Sequence, residues 1–167
     1  MPYIDLPPGD EPPPVRVWRH RPEQGQAFSA LAVANWQHSQ LSTREREAAR
    51  HRVAQLNGCI TCQNWRVEGF AEVGCTEEFY EGIEGATSDP GYSRREQLAV
   101  EMAERFSLTW TEVGEDVIDE LRRHFTDPEI VDLLICIGQY VAQGRLMHIL
   151  DCDSVCSLAP AHSAVAR

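Results

Sequence analysis

Two cysteines separated by two residues, Cys59 and Cys62, are the side chains in this sequence whose spacing most clearly allows chemistry. At this spacing one thiolate can attack an oxidant, and the second sulfur can then close a disulfide. The same pair could instead supply half of a zinc site, or be two buried thiols of a core. A zinc site would need further ligands from Cys75 or from the Cys152 and Cys156 pair, and no second CxxC motif accompanies them. We therefore favour the redox interpretation.

Ionisable side chains flank this pair. Glu47 precedes Cys59 by twelve residues, and His51 follows Glu47 by four, which places both on one face of a helix. A carboxylate held near a thiol can take its proton, and His51 is a candidate second base because the pKa of histidine is near neutral. Either residue could equally be part of a charged helix surface. Arg66 can stabilise a thiolate or bind a carboxylate or peroxide oxygen, but it cannot relay protons.

A helix from about residue 42 to 57 is predicted to position these side chains. Ser42 with Glu45 forms a capping box, and Asn57-Gly58 is typical of a helix C-terminus. The cysteines then fall in the first turn of a following helix, where free backbone N–H groups and the helix dipole favour a thiolate. We expect this second helix to continue through Trp65 to Glu72.

The remainder of the chain is predicted to be helical as well. Pro22 opens an amphipathic segment that carries Trp36, Ser93 with Glu96 forms a second capping box, and Thr126 begins the most apolar helix, which runs to about Leu150. We expect this last helix to be central or to lie at a subunit interface. No stretch alternates with a period of two, so the predicted fold class is all-α with six or seven helices. The other predicted segments are a short helix at 76–82, a loop at 84–91 and a helix at about 112–124.

Three regions are predicted along the chain. Residues 1–21 are rich in proline and are expected to form an extended arm without a helix, anchored by Val17 and Trp18. Residues 22–151 form the helical domain. Residues 152–167 are small and aperiodic, and we expect a tail there.

The bulk composition limits the class of protein. With 167 residues, 43% of them hydrophobic and 25% charged, the chain suits one soluble domain. A net charge of −11 argues against nucleic acid or an anionic membrane as the main partner. Neither a secretory signal nor an apolar run long enough to span a bilayer is evident, so the cytoplasm is expected and the six cysteines are expected to be thiols. A solvated, ion-paired helix face is predicted for the basic cluster of Arg44, Arg46, Arg50, His51 and Arg52.

Several of these residues resemble the signature of the carboxymuconolactone decarboxylase / alkylhydroperoxidase D superfamily, in its CxxC-bearing branch. They are Glu47, Arg52-Val53-Ala54, Asn57-Gly58-Cys59 and Cys62, and the resemblance extends from about Pro22 to Asp151. It implies an AhpD-like helical fold that assembles as a homo-oligomer, often a trimer or a multiple of it. It further implies a cofactor-free, metal-free peroxidase in which Cys62 attacks a small hydroperoxide and Cys59 resolves the product. Glu47 would begin a proton relay, and a dithiol such as a lipoyl group would re-reduce the disulfide.

The sequence departs from that family at two positions. The peroxidases carry one histidine between the cysteines and another four residues after the second, where this chain has Thr61 and Arg66. Either His51 and Glu47 perform the proton transfers by another route, or peroxidase activity is weak or absent. Two alternatives follow: a decarboxylase-type lyase in which Arg66 holds a substrate carboxylate, and a non-enzymatic thiol redox sensor. Nearby aromatic side chains could wall an apolar substrate pocket or simply pack in the core, namely Trp65, Phe70, Phe79 and Tyr80.

Overall fold

The computed structural model describes residues 1–153, and these residues form eight α-helices, three 3-10 turns and no strand. The all-α prediction is therefore confirmed, and the four-residue helix Pro13–Arg16, in a region expected to lack one, accounts for the count above seven. The predicted tail lies outside the described residues from position 154 onward, together with Cys156. The helices are α1 (Pro13–Arg16), α2 (Pro22–Gln37), α3 (Thr43–Leu56), α4 (Ile60–Asn64), α5 (Glu77–Gly82), α6 (Arg94–Leu108), α7 (Glu115–Arg122) and α8 (Asp127–Ile149).

Capping boxes begin the three helices that build the core. In each, a hydroxyl accepts a hydrogen bond from the N–H of a glutamate three residues on, and the glutamate carboxylate accepts one from the N–H of the cap residue. This reciprocal pairing satisfies backbone donors that have no partner within the helix. The predicted starts of these helices are thereby confirmed. The pairs are Ser42 with Glu45, Ser93 with Glu96, and Thr126 with Glu129.

Helix α3 packs against both α6 and α8, and residues of all three helices form one core cluster. Its Val53 is fully buried among Leu98, Met102, Leu133 and Ile137 from those two helices. Burial of such side chains stabilises a domain by about 1.5–3 kcal/mol each. A second apolar cluster lies between α3 and α5, so that both faces of α3 are covered.

The prediction of a solvated face on α3 is wrong. Arg46, Arg50 and His51 are only 6%, 2% and 5% exposed, and Glu47 is fully buried. The pattern of alternating charge does hold ion pairs, such as Arg52 with Glu104 at 2.7 Å, but their partners come mostly from other helices. The alternating charges of α3 did not predict its exposure, because a helix covered on both sides buries even its polar residues when these find partners.

The N-terminal region is not helix-free, which corrects the prediction for residues 1–21. Prolines occupy the cap and the first turn of α1, where a missing N–H costs nothing, and a 3-10 turn continues from Val17 to His20. Val17 is buried against Met147 and Cys152 near the end of α8. The backbone N–H of Tyr3 also donates to the Leu150 carbonyl at 3.0 Å. The arm therefore packs on the end of α8 of its own chain.

Helix α4 ends at Asn64, so the predicted continuation to Glu72 is wrong. Trp65 adopts an extended conformation (φ −71°, ψ 138°), and the chain then turns through Gly69 and Gly74, both at positive φ. These left-handed conformations suit glycine and interrupt any helix. A reversal of direction results, which brings α5 back against α3.

Two further boundaries differ from prediction. The segment expected to be a loop at 84–91 includes a 3-10 turn, Ile83–Ser88, and α7 is preceded by a separate 3-10 turn, Trp110–Glu112. Gly114 in extended conformation separates that turn from α7, which begins only at Glu115. The short helix expected at 76–82 is confirmed, with the Thr76 hydroxyl accepting from the Phe79 N–H.

Helix α8 is long and apolar enough, by length and composition alone, to cross a membrane. The expectation that no apolar run reaches that length is therefore wrong. In this structure α8 packs against α2, α3, α6 and α7, and Leu133, Cys136 and Ile137 are buried among them. Its composition follows from this enclosure, since a helix covered on several sides is apolar on several sides.

Candidate active site

The CxxC pair lies at the junction between α3 and α4. Asn57 caps α3, Gly58 turns the chain at φ +66°, and Cys59 becomes the N-cap residue of α4. The Cys62 N–H donates a hydrogen bond to the Cys59 sulfur at 3.3 Å, in the way that a serine oxygen accepts one at other helix starts. The two sulfurs are 2.7 Å apart, so a small displacement would bring them to the disulfide distance of about 2.05 Å.

Contact between the sulfurs makes this thiol pair acidic. The hydrogen bond with the Cys62 thiol lowers the pKa of Cys59 to about 7, against the opposing effect of burial, and the Cys62 N–H adds to the lowering. The first proton lost therefore belongs to the pair as a unit, because the two sulfurs share one hydrogen bond. The two cysteines differ in solvent exposure, since Cys59 is 3% exposed whereas Cys62 is partly open to solvent.

Cys62 opens into a cavity of about 170 Å³ between α3, α4 and α8. The cavity surface is mostly apolar, and Trp65 forms part of its wall with its ring 5.5 Å from that of Trp36 on α2. Such a site suits a small organic molecule with an apolar body and one polar end. The residues that line it are Arg50, Thr61, Cys62, Trp65, Tyr140, Gln143 and Gly144.

Glu47 is buried beside this cavity but does not reach the sulfurs by any hydrogen bond. The Arg50 Nε donates to both Glu47 carboxylate oxygens at 2.9 and 3.0 Å, and its Nη2 donates to Glu47 Oε2 at 2.9 Å. The Tyr80 hydroxyl donates to the same Oε2 at 2.8 Å. Burial and the adjacent Glu47 charge together raise the pKa of Tyr80, so the hydroxyl stays protonated as the donor.

Arg50 connects Glu47 to the CxxC helix. Its Nη1 donates to the Cys62 carbonyl at 2.6 Å, and its Nη2 donates to the Trp65 carbonyl at 3.3 Å. The guanidinium also lies over the Trp65 ring, 4.8 Å from the ring centre. Arg50 thereby satisfies carbonyls that α4 leaves free at its C-terminal end.

His51 is not part of the cavity lining. Its ring packs 5.1 Å from that of Tyr80, and its Nδ1 has no hydrogen-bond partner among the described residues. Burial, and then the positive charges of Arg50 and Arg66, lower the pKa of His51 to about 4. The imidazole is therefore neutral at pH 7.

Arg66 and Trp65, the two predicted substrate-binding residues, are separated by the structure. Trp65 lines the cavity, whereas Arg66 is absent from the lining and pairs with Glu77 at 2.8 Å. The Arg66 guanidinium also stacks over the Tyr80 ring at 4.1 Å. This arrangement ties the turn after α4 to α5.

The remaining described cysteines are buried and weakly acidic. Burial raises the pKa of Cys75 to about 11 and that of Cys136 to about 12, and it raises the pKa of Cys152 as well. Among residues 1–153, no three His, Cys, Asp or Glu side chains are grouped as metal ligands would be. These thiols therefore behave as small apolar side chains of the core.

Sequence reasoning missed four residues of the cavity lining, namely Arg50, Tyr140, Gln143 and Gly144. Arg50 had a local signal, since it follows Glu47 by three residues and such pairs meet on one helix face. Tyr140 and Gln143 line the cavity from α8, which is about eighty residues away in sequence, so no local pattern pointed to them. Of the aromatic residues considered for a pocket wall, only Trp65 lines the cavity; Phe79 and Tyr80 belong to the core beside α5.

The sequence of this chain is similar to a known protein family and to a protein of Bacillus subtilis. A model of the Carboxymuconolactone decarboxylase family matches residues 22–105. Uncharacterized protein YdfG of Bacillus subtilis (strain 168) is 27% identical over 109 residues, which is 65% of this chain and 74% of that protein.

Solved structures share the fold. An uncharacterized peroxidase-related protein from Silicibacter sp. TM1040 superposes with a TM-score of 0.68 at 22% identity, over 83% of this chain and 73% of its own. An Agrobacterium tumefaciens protein of unknown function, described as a candidate antioxidant defence protein AhpD, gives a TM-score of 0.68 at 25% identity, over 81% and 92%. A protein from Ralstonia eutropha JMP134, described as an alkylhydroperoxidase AhpD core, gives 0.66 at 20% identity, over 82% and 73%.

The family match includes the part of the site that α3 and α4 contribute, whereas the cavity residues of α8 lie beyond it. Helix α3, the turn at Gly58 and both cysteines fall inside the matched range of residues 22–105. The resemblance found in the sequence is thereby confirmed. By this match over half of its length, the chain belongs to the Carboxymuconolactone decarboxylase family.

Proposed function

We propose that this protein is a thiol-dependent peroxidase that reduces small organic hydroperoxides. The observation that carries the proposal is the CxxC pair itself, with sulfurs 2.7 Å apart and Cys62 open to a mostly apolar cavity. Family membership and the description of the Agrobacterium tumefaciens neighbour as a candidate antioxidant defence protein support the same kind of function. No cofactor takes part in the proposed reaction.

The proposed reaction begins at Cys62, because this sulfur faces the cavity. The Cys62 thiolate attacks the terminal oxygen of the hydroperoxide, so that an S–O bond forms and the O–O bond breaks. The leaving alkoxide takes a proton from solvent and departs as the alcohol, and Cys62 is left as a sulfenic acid. Cys59 then attacks the Cys62 sulfur, forming the disulfide and releasing water. An external dithiol, of the lipoyl type, reduces the disulfide and is itself oxidised.

Glu47 and His51 have separate parts in this proposal. Glu47 is bonded to Arg50 and Tyr80, so its part is to hold the arginine in place rather than to take a proton from a thiol. His51 is neutral at pH 7 and its ring packs on that of Tyr80, so its part is to support that side of the network and not to transfer protons. The pKa of Cys59 is lowered to about 7, and transfer of the Cys62 proton to the Cys59 thiolate across the 2.7 Å contact gives the attacking Cys62 thiolate without a dedicated base.

The test is hydroperoxide consumption with dihydrolipoamide as the reductant. Wild type is expected to turn over, Cys62→Ser to lose turnover entirely, and Cys59→Ser to consume about one equivalent and stop at the sulfenic acid. Cys136→Ser is the matched control, because that thiol is buried and has a raised pKa. Full turnover by Cys62→Ser would refute the proposal. Reversible oxidation of wild type without turnover would instead identify a redox sensor.

A lyase acting on a carboxylated lactone would need a free cation for the substrate carboxylate. Arg44 and Arg66 are each paired with a glutamate at 2.5 and 2.8 Å, and Arg50 with Glu47 at 2.9 Å. Of these three, Arg50 alone lines the cavity; its charge is balanced by Glu47 and a single N–H is left for a ligand, which does not allow a bidentate hold on a substrate carboxylate, so we do not propose this activity.

A homo-oligomer, a trimer or a multiple of it, is part of the proposal. Exposed apolar side chains on α2 and α8 support it, since Leu31, Val33 and Ile135 are 38%, 38% and 43% exposed and Val131 is 55% exposed. These two helices pack against each other, so their outer faces adjoin. Light scattering after size exclusion measures the mass, and Val131→Glu with Ile135→Glu is expected to yield monomers. A monomeric wild type would contradict this part.

A further inference from the structure

Arg50 is a buried cation that lines the same cavity as the reacting cysteine. Only 2% of its surface is exposed, yet it lines the cavity together with Cys62 and donates to the Cys62 carbonyl at 2.6 Å. Its ion pair with Glu47 raises the pKa of the guanidinium despite burial, so the charge is permanent. A fixed cation beside a thiol in an apolar cavity can act on any negative charge that develops there.

Arg50 has one N–H group that makes no hydrogen bond to the described residues. A guanidinium has five N–H groups. The Nε–H is shared between the two Glu47 oxygens, and the two on Nη2 go to Glu47 and to the Trp65 carbonyl. One on Nη1 goes to the Cys62 carbonyl. The second N–H of Nη1 has no acceptor among residues 1–153, and a molecule in the cavity can accept from it.

We propose that Arg50 is a catalytic residue that binds the hydroperoxide oxygen destined to leave as alkoxide. This inference rests on the peroxidase function proposed above. As Cys62 attacks the terminal oxygen, negative charge develops on the inner oxygen, and the unused Nη1–H donates to it. Arg50 keeps its proton throughout; the alkoxide is neutralised by a proton from solvent. The electrons of the S–O bond come from the thiolate, and the O–O bond pair leaves with the alkoxide.

Neighbouring ionisable groups are less suited to this role. Glu47 is an acceptor held by Arg50 and Tyr80, and its charge would repel an alkoxide. Arg66 is bound to Glu77 outside the cavity lining. Glu47 and Tyr80 instead make Arg50 effective, because a guanidinium fixed by a carboxylate needs no reorganisation when charge develops.

The test compares two reactions of the same thiolate. Oxidation by tert-butyl hydroperoxide has an alkoxide leaving group, whereas alkylation by iodoacetamide releases iodide and needs no donor at oxygen. Both rates are measured in single turnover across pH, and the limiting values at full ionisation are compared. This choice removes any effect of a variant on the thiol pKa.

The main variant is Glu47→Gln with Arg50→Gln, which removes both charges and so leaves no buried unpaired ion. Arg50→Lys keeps the positive charge but loses the planar set of N–H donors of the guanidinium. Arg46→Gln is the matched control, since Arg46 is also a buried arginine of α3 but stacks on Trp36 and does not line the cavity. Circular dichroism and thermal unfolding establish that each variant is folded.

The double variant is expected to lose about 10²- to 10³-fold in the limiting oxidation rate, as when one donor to a developing oxyanion is removed. Its limiting alkylation rate is expected to stay within about threefold of wild type, and Arg50→Lys is expected to recover part of the oxidation rate. An equal fall in both rates would make Arg50 a positioning residue only and overturn the proposal. Wild-type oxidation no faster than that of free dithiothreitol would overturn the peroxidase function itself, which is a distinguishable failure.

Discussion

The acidity of Cys59 gives the sharpest prediction about this protein, because its largest cause is a single contact, the hydrogen bond from the Cys62 thiol. The hydrogen bond between the sulfurs lowers the pKa of Cys59 from 9.0 to about 7. Cys59→Ala removes the partner of Cys62, and we expect the apparent pKa of thiol alkylation to rise from about 7 in wild type toward the ordinary value. Cys62→Ser keeps a hydroxyl donor and the backbone N–H, so Cys59 in this variant is expected to stay acidic.

The magnitude can be worked out for pH 7. A thiol with a pKa of about 7 is about half ionised there, whereas one with a pKa of 9.0 is about 1% ionised, a ratio of about 50. Each unit of lowered pKa also reduces the intrinsic nucleophilicity about threefold, or about tenfold over two units. The net expectation is alkylation of wild type about fivefold faster than that of Cys59→Ala at pH 7.

The assay is the rate of reaction with iodoacetamide between pH 5 and 10, with the modified residue identified by mass spectrometry. At pH 10 the order reverses, and Cys59→Ala reacts faster because its thiolate is the more basic nucleophile. Cys136→Ala is the control and is expected to leave the profile unchanged, since that thiol is buried. A wild-type midpoint at or above pH 8.5, or an unchanged midpoint in Cys59→Ala, would refute the reasoning.

Further predictions concern the buried charges. Arg50→Gln should lower the free energy of unfolding in urea by about 3–5 kcal/mol because Glu47 is left as an unpaired buried carboxylate, and Glu47→Gln with Arg50→Gln should cost less than half of that; a single-variant cost below about 1 kcal/mol contradicts this. His51, with a pKa of about 4, should show no imidazole titration by NMR between pH 5 and 8, and a midpoint near 6.5 would contradict its burial. Because the unfolded chain binds this proton first, His51 makes the fold less stable as pH falls from 6.5 to 4, and His51→Phe should flatten that part of the stability curve. Arg95 lowers the pKa of Glu129 to about 2, so the stabilisation is complete above about pH 4.5 and is lost as pH falls through 2. Thermal unfolding should find Glu129→Gln less stable than wild type at pH 7 and equal to it below pH 2, and a difference that persists there would refute the assignment.

Local patterns predicted the boundaries of the longer helices well. Capping boxes and the Asn57-Gly58 stop involve residues within four positions of one another, so their geometry depends little on the rest of the chain. The shorter elements escaped this reasoning. Three prolines in succession predict a segment without a helix, but the cap and first turn of α1 accept them. Helix α4 stops after five residues as Trp65 turns to extended backbone, where a tertiary contact, Arg50, satisfies its last carbonyls.

The candidate site was likewise predicted only in part from the sequence. Glu47, Cys59 and Cys62 were found from spacing and family resemblance. The connection between them was not, because Arg50 looked like one more charge on a solvated helix until packing buried it. The predicted relay from Glu47 to the sulfurs has an arginine in its place, and Arg66 was assigned to the substrate although it ties the turn after α4 to α5.

By itself, the sequence determined the helical class, the starts of α3, α6 and α8, and the position of a CxxC pair at a helix start. Each of these depends on residues close together in the chain, whose conformational preferences act locally. Tertiary structure alone decided which charges are buried, that Tyr140 and Gln143 from α8 complete the cavity, and that Cys62 rather than Cys59 opens into it. The physical reason is that burial, and with it pKa and access, depends on which helices pack on both sides of α3, and that is a property of the whole fold.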